Sequence, residues 1–452
     1  MKLPEGFQPR EYQNAAIESW KSNGYRGVLN MATGTGKTLT ALLGMYELMN
    51  EKESLVSVIV CPYIHLVEQW AEDVISMGIL PILAYSKYPD WKRKLYQQIQ
   101  LINFGRVKYV TVIITNSSFI TDDMASILQK SKSDILLIAD EMHNFGSETL
   151  MKLLDERFRF RLGLSATPTR FYDMEISDKL INYFGGEVFK FDLGEAISAG
   201  FLTPYYYYPH IVYLSNEEFS IYRELTLKIV KAMGIEERKQ SKSYIESLLI
   251  KRAKLIQGAE AKIPKLEELM NGYSKKDSIL VYCGSTNVNE DLDTKRQIDY
   301  IVRKLGIDLG MYVSRFTADE SQQERQNIIS RFQSKEIQSI VAIRCLDEGV
   351  NIPSIRTAFL VSSSTNPKEH IQRRGRVLRN FPDKEFSEIF DFVVLPPDYS
   401  AFEDYEAGAK SIVIKELARV SEFSELAVNK DEVNSLIDLI MDKYNIDRGE
   451  LR

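Results

Sequence analysis

Two stretches of this sequence hold residue types at spacings suited to chemistry on a phosphoryl group. The first is VLNMATGTGKTLTALLGMYELM, in which Gly34, Thr35 and Gly36 lead into Lys37 and Thr38. Glycines there let the chain curl so that successive backbone N–H groups face one anion, and a helix beginning near Lys37 adds its positive end. The Lys37 ammonium would then reach the β- and γ-phosphates of ATP, and the Thr38 hydroxyl would hold Mg²⁺. Met31 stands where the general G-x-x-x-x-G-K-[ST] pattern has its first glycine, so the reading rests on strand, loop and helix following in order. The second stretch, SDILLIADEMHNFGSE, ends an apolar run in Asp140 and Glu141. Asp140 would hold Mg²⁺ through water, and Glu141 would orient and deprotonate an attacking water. A solvated acidic loop is the other reading of any Asp-Glu pair; the apolar run and the upstream phosphate loop argue against it. His143, two residues past Glu141, is placed for a coupling role.

Elements must position these groups. In the first half, Arg26–Asn30, Val56–Val60, Tyr109–Ile114, Ile135–Ala139 and Phe160–Leu164 read as strands, and runs such as SVIV and DILLIA suit strands buried on both faces. The series restarts with Ser278–Tyr282, Gly310–Val313, Ser339–Ile343, Thr357–Val361 and Ile389–Val393. Between the two series, roughly Asn216 to Met270, apolar residues recur at three- and four-residue spacing, as in helices. Tyr205–Tyr208, bracketed by Pro204 and Pro209, reads as the exit from the first domain, and the chain after Pro397 is helical and acidic. The expected fold is α/β: two tandem parallel-sheet domains with a helical connector and a helical C-terminal tail. Its boundaries are 1–208, 209–272, 273–398 and 399–452.

Composition narrows the function classes. A formal charge of −6 excludes a surface coated in phosphate-binding cations, so any nucleic-acid site must be a local groove. Cys61, Cys283 and Cys345 are far apart, form no C-x-x-C pair, and read as small buried hydrophobes rather than zinc ligands. The start has no apolar signal core and no run is long enough to cross a bilayer, which reads as a cytoplasmic protein without a membrane partner.

The segments MATGTGKT, DEMH, LSATPTR and QRRGRVLR resemble motifs I, II, III and VI of the superfamily 2 helicases, in the same order and at matching separations. CPYIHLVEQW is similar to motif Ia, TNSSF to Ib, ILVYCGS to IV and RCLDEGVNIPSI to V, so the resemblance runs from Gln8 to Val394. It implies that both domains are RecA-like. It further implies that Gln13 reads the adenine edge, that Ser165 and Thr167 link the ATP and nucleic-acid sites, and that Gln372 approaches the γ-phosphate. Arg376 and Arg379 match arginine fingers, which would meet charge spreading over the γ-phosphoryl oxygens. Without the other motifs QRRGRVLR would read as a basic surface helix. The usual alanine of the DEAD or DEAH box is replaced by Met142, whose side chain has no need to reach phosphate.

In such motors the nucleic acid lies along motifs Ia, Ib, IV and V, here Pro62, His65, Thr115, Asn116, Gly284, Ser285, Arg344 and Gly349. Hydroxyls, amides and tight turns suit backbone contact with little base reading, and suit loop capping equally well. Asp347, in the loop with Glu348 and Asn351, is expected to couple or to touch a ribose hydroxyl. DNA is favoured over RNA because MATGTGKT with LGLSATPTR and LGEAISAGFLTPYYYY resembles restriction, excision-repair and recombination motors. The reading is an Mg²⁺-ATP-dependent DNA helicase or translocase, in genome defence, recombination or repair. No nuclease signature is visible, so a role in restriction would need a nuclease on another chain. The alternatives are an RNA helicase, or a nucleotide-switched binding subunit whose acidic C-terminal helices dock a partner.

Overall fold

The computed structural model describes residues 8–167, 174–233, 239–284, 297–317, 319–343, 352–363, 367–397 and 405–451. The chain divides into two compact units, Met1–Gly200 and Phe201–Arg452.

The strands of the first unit are β1 (Arg26–Met31), β2 (Leu55–Cys61), β3 (Ile82–Ala84), β4 (Tyr109–Thr115), β5 (Asp134–Ala139), β6 (Phe160–Ser165) and β7 (Glu187–Phe191). They form one sheet in the order β3-β4-β2-β5-β6-β1-β7, with every pairing parallel. All residues of β2 and β6 are buried, as strands covered on both faces by helices require. A parallel sheet sends all its strand ends to one edge. The segments after β1, β2, β4, β5 and β6, which hold the motif residues, therefore emerge on the same side. The five strands expected here are present, each within a residue or so of its expected end, and the short edge strands β3 and β7 are additional.

The second unit has β8 (Tyr205–Tyr213), β9 (Ile279–Tyr282), β10 (Val313–Phe316), β11 (Ser339–Ala342), β12 (Thr357–Leu360) and β13 (Ser387–Leu395). Its sheet, again parallel throughout, has the order β10-β11-β9-β12-β13-β8. β10 starts at Val313 rather than Gly310, because Gly310 (φ 64°) still belongs to the turn in which Met311 N–H donates to Leu305.

The tyrosine tract corrects the expected boundary at 208. It is β8, paired with β13 from Tyr205 to Tyr213, and thus part of the second unit. Proline is tolerated at 209 because β8 is an edge strand. Tyr205 and Tyr207 are buried, and the Asn429 amide both accepts from Tyr207 N–H and donates to Tyr207 C=O, each at 2.9 Å, covering that edge. The helices Asn216–Met233, Lys239–Gln257 and Lys262–Asn271 follow, as the spacing predicts.

The C-terminal helices Tyr405–Ser424 and Lys430–Tyr444 cap this unit. Arg419 lies buried between Asp391 (3.1 Å) and Glu416 (2.8 Å), and Asp391 also accepts the Tyr207 hydroxyl at 2.8 Å. Glu416 in turn accepts Val394 N–H at 2.9 Å, so the tail is tied into the sheet by paired buried charges rather than lying loosely in solvent. Cys61 and Cys283 are buried, the Cys283 thiol donating to Ala342 C=O at 3.4 Å, and no helix among the described residues is long and apolar enough to span a membrane.

Candidate active site

The phosphate loop joins β1 to the helix Lys37–Glu51. Gly36 sits at the helix start with φ 85° and Gly34 has φ 92°, left-handed values that glycine adopts without strain. Lys37 Nζ donates back to Met31 C=O at 3.2 Å, so the ammonium lies over the loop, and Thr38 is half-buried beside it. Thr35 Oγ1 donates to Ala32 C=O (2.7 Å), and the Tyr12 hydroxyl donates to Thr35 C=O. Gln13 is buried; its Oε1 accepts Arg10 N–H at 3.0 Å, while its Nε2 lies 3.2 Å from where a Cβ on Gly36 would stand. The residue expected to read adenine thus lies against the loop.

Asp140 follows β5 and is buried, with its N–H on Val60 C=O (2.9 Å). Burial, reinforced by the neighbouring Glu141 charge, raises its carboxyl to about 6, against the opposing pull of the Trp70 hydrogen bond and the Lys37 charge. One oxygen accepts Glu141 N–H (3.0 Å) and the other accepts the Trp70 indole N–H (2.9 Å). Glu141 has a left-handed backbone, φ 47° and ψ 53°, which only a surrounding structure that fixes the turn will hold in a non-glycine residue. Its buried Oε2 accepts no hydrogen bond, with His143 Nδ1 3.5 Å away. His143 Nδ1 pairs with Ser165 Oγ at 3.1 Å, and Ser165 Oγ accepts Thr167 N–H at 3.1 Å. His143, Ser165 and Thr167, three of the residues expected to couple the sites, therefore form one chain of contacts beginning at Glu141.

These residues fit a Mg²⁺-nucleotide. A buried carboxylate raised by desolvation and by the Glu141 charge, an orphaned carboxylate oxygen, a hydroxyl and a lysine over a glycine loop are the oxygen ligands and phosphate donors such a group takes. Met142 explains its own departure from the usual motif. It is fully buried, and a Cβ on Gly163 of β6 would lie 2.6 Å from its sulfur, so the missing side chain at Gly163 makes room for it.

In the second unit, Gln372 and Arg376 lie one turn apart on the helix Pro367–Val377 and are buried. Arg379 lies just beyond, where Lys384 Nζ donates to its carbonyl (2.9 Å) and Leu202 bridges its backbone. Burial, with Arg376 adding like charge, lowers Arg379 to about 10. Arg374, not expected to matter, docks on the C-terminal helix through Glu422, to its C=O at 3.0 Å and its Oε1 at 3.2 Å.

The residues expected to meet nucleic acid divide. Pro62 is half-buried beside exposed Tyr63 and Ile64, and His65 stacks on Tyr63 at 5.6 Å. A cavity of about 420 Å³ opens there, lined by Ile64, Tyr85, Trp91, Lys92, Ser117 and Thr121 among others. Asn116 has a buried Oδ1 that accepts no hydrogen bond. Thr115 is instead a helix cap, its Oγ1 accepting Ser118 N–H at 3.3 Å, and Gly284 N–H is taken by Gln297 Oε1 at 2.8 Å. Ser285, Arg344, Asp347 and Gly349 lie outside the described residues. Trp70 and Tyr12 were missed. Tyr12 adjoins Gln13 in QPREYQ, but nothing local marks a tryptophan seventy residues from its carboxylate partner.

Residues 6–170 match the family described as the type III restriction enzyme, res subunit, and residues 261–381 match the helicase conserved C-terminal domain. The chain is 26% identical to the DNA 3'-5' translocase XPB2 of Sulfurisphaera tokodaii, over 85% of this chain and 81% of that one. Among solved structures, the ATP-dependent type ISP restriction-modification enzyme LlaBIII bound to DNA aligns with TM-score 0.63 and 16% identity, over 95% of this chain and 31% of that one. The Hef helicase domain of Pyrococcus furiosus aligns with TM-score 0.53 and 18% identity, over 86% and 96%.

Proposed function

Because this chain belongs to the superfamily 2 helicases and translocases, we propose that it uses ATP hydrolysis to move along or remodel DNA. The observation that carries the reading is the run of contacts from Glu141 through His143 and Ser165 to Thr167, which joins the hydrolytic carboxylate to the segment after β6. Bound Mg²⁺-ATP supplies the transferable phosphoryl group and the cation that shields its charge. Lys37 and the N–H groups of the glycine loop hold the phosphates, Thr38 and Asp140 hold the cation, and Gln13 lies where it can recognise the base. Glu141 Oε2, free of hydrogen bonds, is the base that orients a water and takes its proton. Gln372, Arg376 and Arg379 stabilise negative charge on the γ-phosphoryl oxygens.

DNA follows the segment Pro62–His65, exposed at Tyr63 and Ile64, and Asn116, held by backbone contacts that carry little sequence preference. The same reading makes the protein cytoplasmic, in genome defence, recombination or repair, with a nuclease partner on a separate chain if it serves restriction. The test is ATP turnover measured separately with single-stranded DNA, duplex DNA, forks and RNA, together with triplex displacement. Stimulation by DNA with displacement supports the proposal. Stimulation by RNA alone, or nucleotide-dependent assembly with a partner and no displacement, overturns it.

A further inference from the structure

The helix Ile64–Ser76 has two chemically different parts. Its first residue, Ile64, is 46% exposed, follows exposed Tyr63, and lines the 420 Å³ cavity. Trp70, about 9 Å further along at 1.5 Å per residue, is 1% exposed and donates its indole N–H to Asp140 Oδ2 at 2.9 Å. Val67, Ala71 and Val74 bury the same face, and the Tyr85 hydroxyl holds Glu68 at 2.8 Å, so the helix is packed as one rod. A buried indole N–H needs an acceptor, and a backbone carbonyl would suffice, as Arg161 C=O does for Trp20. Here the acceptor is the carboxylate assigned to the cation. Its other oxygen accepts the adjacent Glu141 N–H, so two donors fix the carboxylate plane, and only Trp70 belongs to an element that reaches the exposed end.

We propose that Trp70 is a positioning residue that transmits nucleic-acid binding at the start of the helix Ile64–Ser76 to the Asp140 carboxylate, which it holds through the indole N–H. The inference rests on the functional reading that DNA lies along Pro62–His65. DNA pressing on that end shifts the rod. The indole carries the shift to Asp140, setting the carboxylate for the cation and making turnover depend on DNA.

Two variants remove the donor. Trp70→Phe keeps an aromatic ring, and benzothienylalanine incorporated at position 70 keeps the shape of indole with sulfur in place of N–H. Both are expected to reduce the DNA stimulation of ATP turnover on the order of tenfold, as loss of one hydrogen bond to a charged group implies. ATP affinity and DNA affinity stay within about twofold of wild type. In nucleotide-free wild-type protein, the Trp70 indole ¹H–¹⁵N resonance, identified among the three tryptophans by its absence from Trp70→Phe, is expected to move when duplex DNA is added. A merely structural tryptophan would lower melting temperature and basal turnover without changing the stimulation ratio. Full stimulation of the benzothienyl protein, or an indole resonance indifferent to bound DNA, overturns the proposal. If wild-type turnover ignores DNA, the functional reading itself fails and this inference falls with it; if wild type responds and the variants respond equally, only the role of Trp70 is refuted.

Discussion

Replacing Gly163 by alanine tests whether the methionine in the second motif is accommodated by a glycine on the next strand. The new methyl carbon would stand 2.6 Å from Met142 Sδ, 3.4 Å from Met142 Cγ and 3.3 Å from Val28 Cγ2. The thioether must retreat by about an ångström to reach ordinary contact. It has nowhere empty to go, because Met142, Val28 and Ala139 are all fully buried in one core. Overpacking of this kind costs about 1–3 kcal/mol. Met142→Ala alone opens a cavity and costs about 2–5 kcal/mol. The double variant puts a methyl group into the space the thioether vacates, so its loss should fall short of the sum by about 0.5–3 kcal/mol. Trp20, Trp70 and Trp91 are the protein's three tryptophans and all lie in the first unit, so tryptophan fluorescence during urea unfolding follows that unit alone. Gly163→Ala should lower its midpoint by roughly 0.5–1 M. Because Met142 lies between Glu141 and His143, DNA-stimulated turnover should fall with stability, and the double variant should lose less than the two single variants combined. Additive losses, or an unaffected Gly163→Ala, would refute the pairing.

Three further outcomes are expected. Glu141→Gln keeps the shape of the site but removes the base, so ATP should still bind while turnover falls at least a hundredfold, checked by nucleotide binding and single-turnover hydrolysis. Arg379→Ala should cut turnover on the order of 10³-fold and leave ATP binding nearly intact, since the guanidinium meets charge that develops mainly in the transition state; weakened binding with unchanged turnover would contradict that role. Lys384, lowered to about 7 by burial and by the like charges of Arg356 and Arg379, binds fewer protons folded than unfolded between pH 7 and its ordinary value near 10.5. Its contribution to stability should therefore rise with pH across that window and be flat below it. Wild type should gain on Lys384→Met as pH rises, read from the calorimetric transition of the second unit.

What was legible in the sequence is what depends on neighbours along the chain. Apolar runs such as DILLIA bury both faces wherever they fold, so the five expected strands of the first unit lie within a residue or so of their expected ends. The glycine loop before Lys37 and the carboxylates after β5 are likewise local: strand, turn and helix follow within a few residues. His143, by its place beside Glu141, and Ser165 and Thr167, by the resemblance to known motors, read as coupling residues, and the three lie in one run of hydrogen bonds. Sheet order, by contrast, is a property of the whole unit. Putting β2 beside β5 brings Val60 C=O to Asp140 N–H, and the helix that follows β2 brings Trp70 to the same residue. No periodicity encodes that meeting. The tyrosine tract bracketed by prolines carried the composition of a linker, and became β8 because β13 offered it an edge and Asn429 covered its far side. Thr115 and Gly284 have residue types that suit both phosphate contact and capping; Ser118, three residues on, is a local partner for Thr115, whereas Gln297 meets Gly284 N–H only in the folded chain.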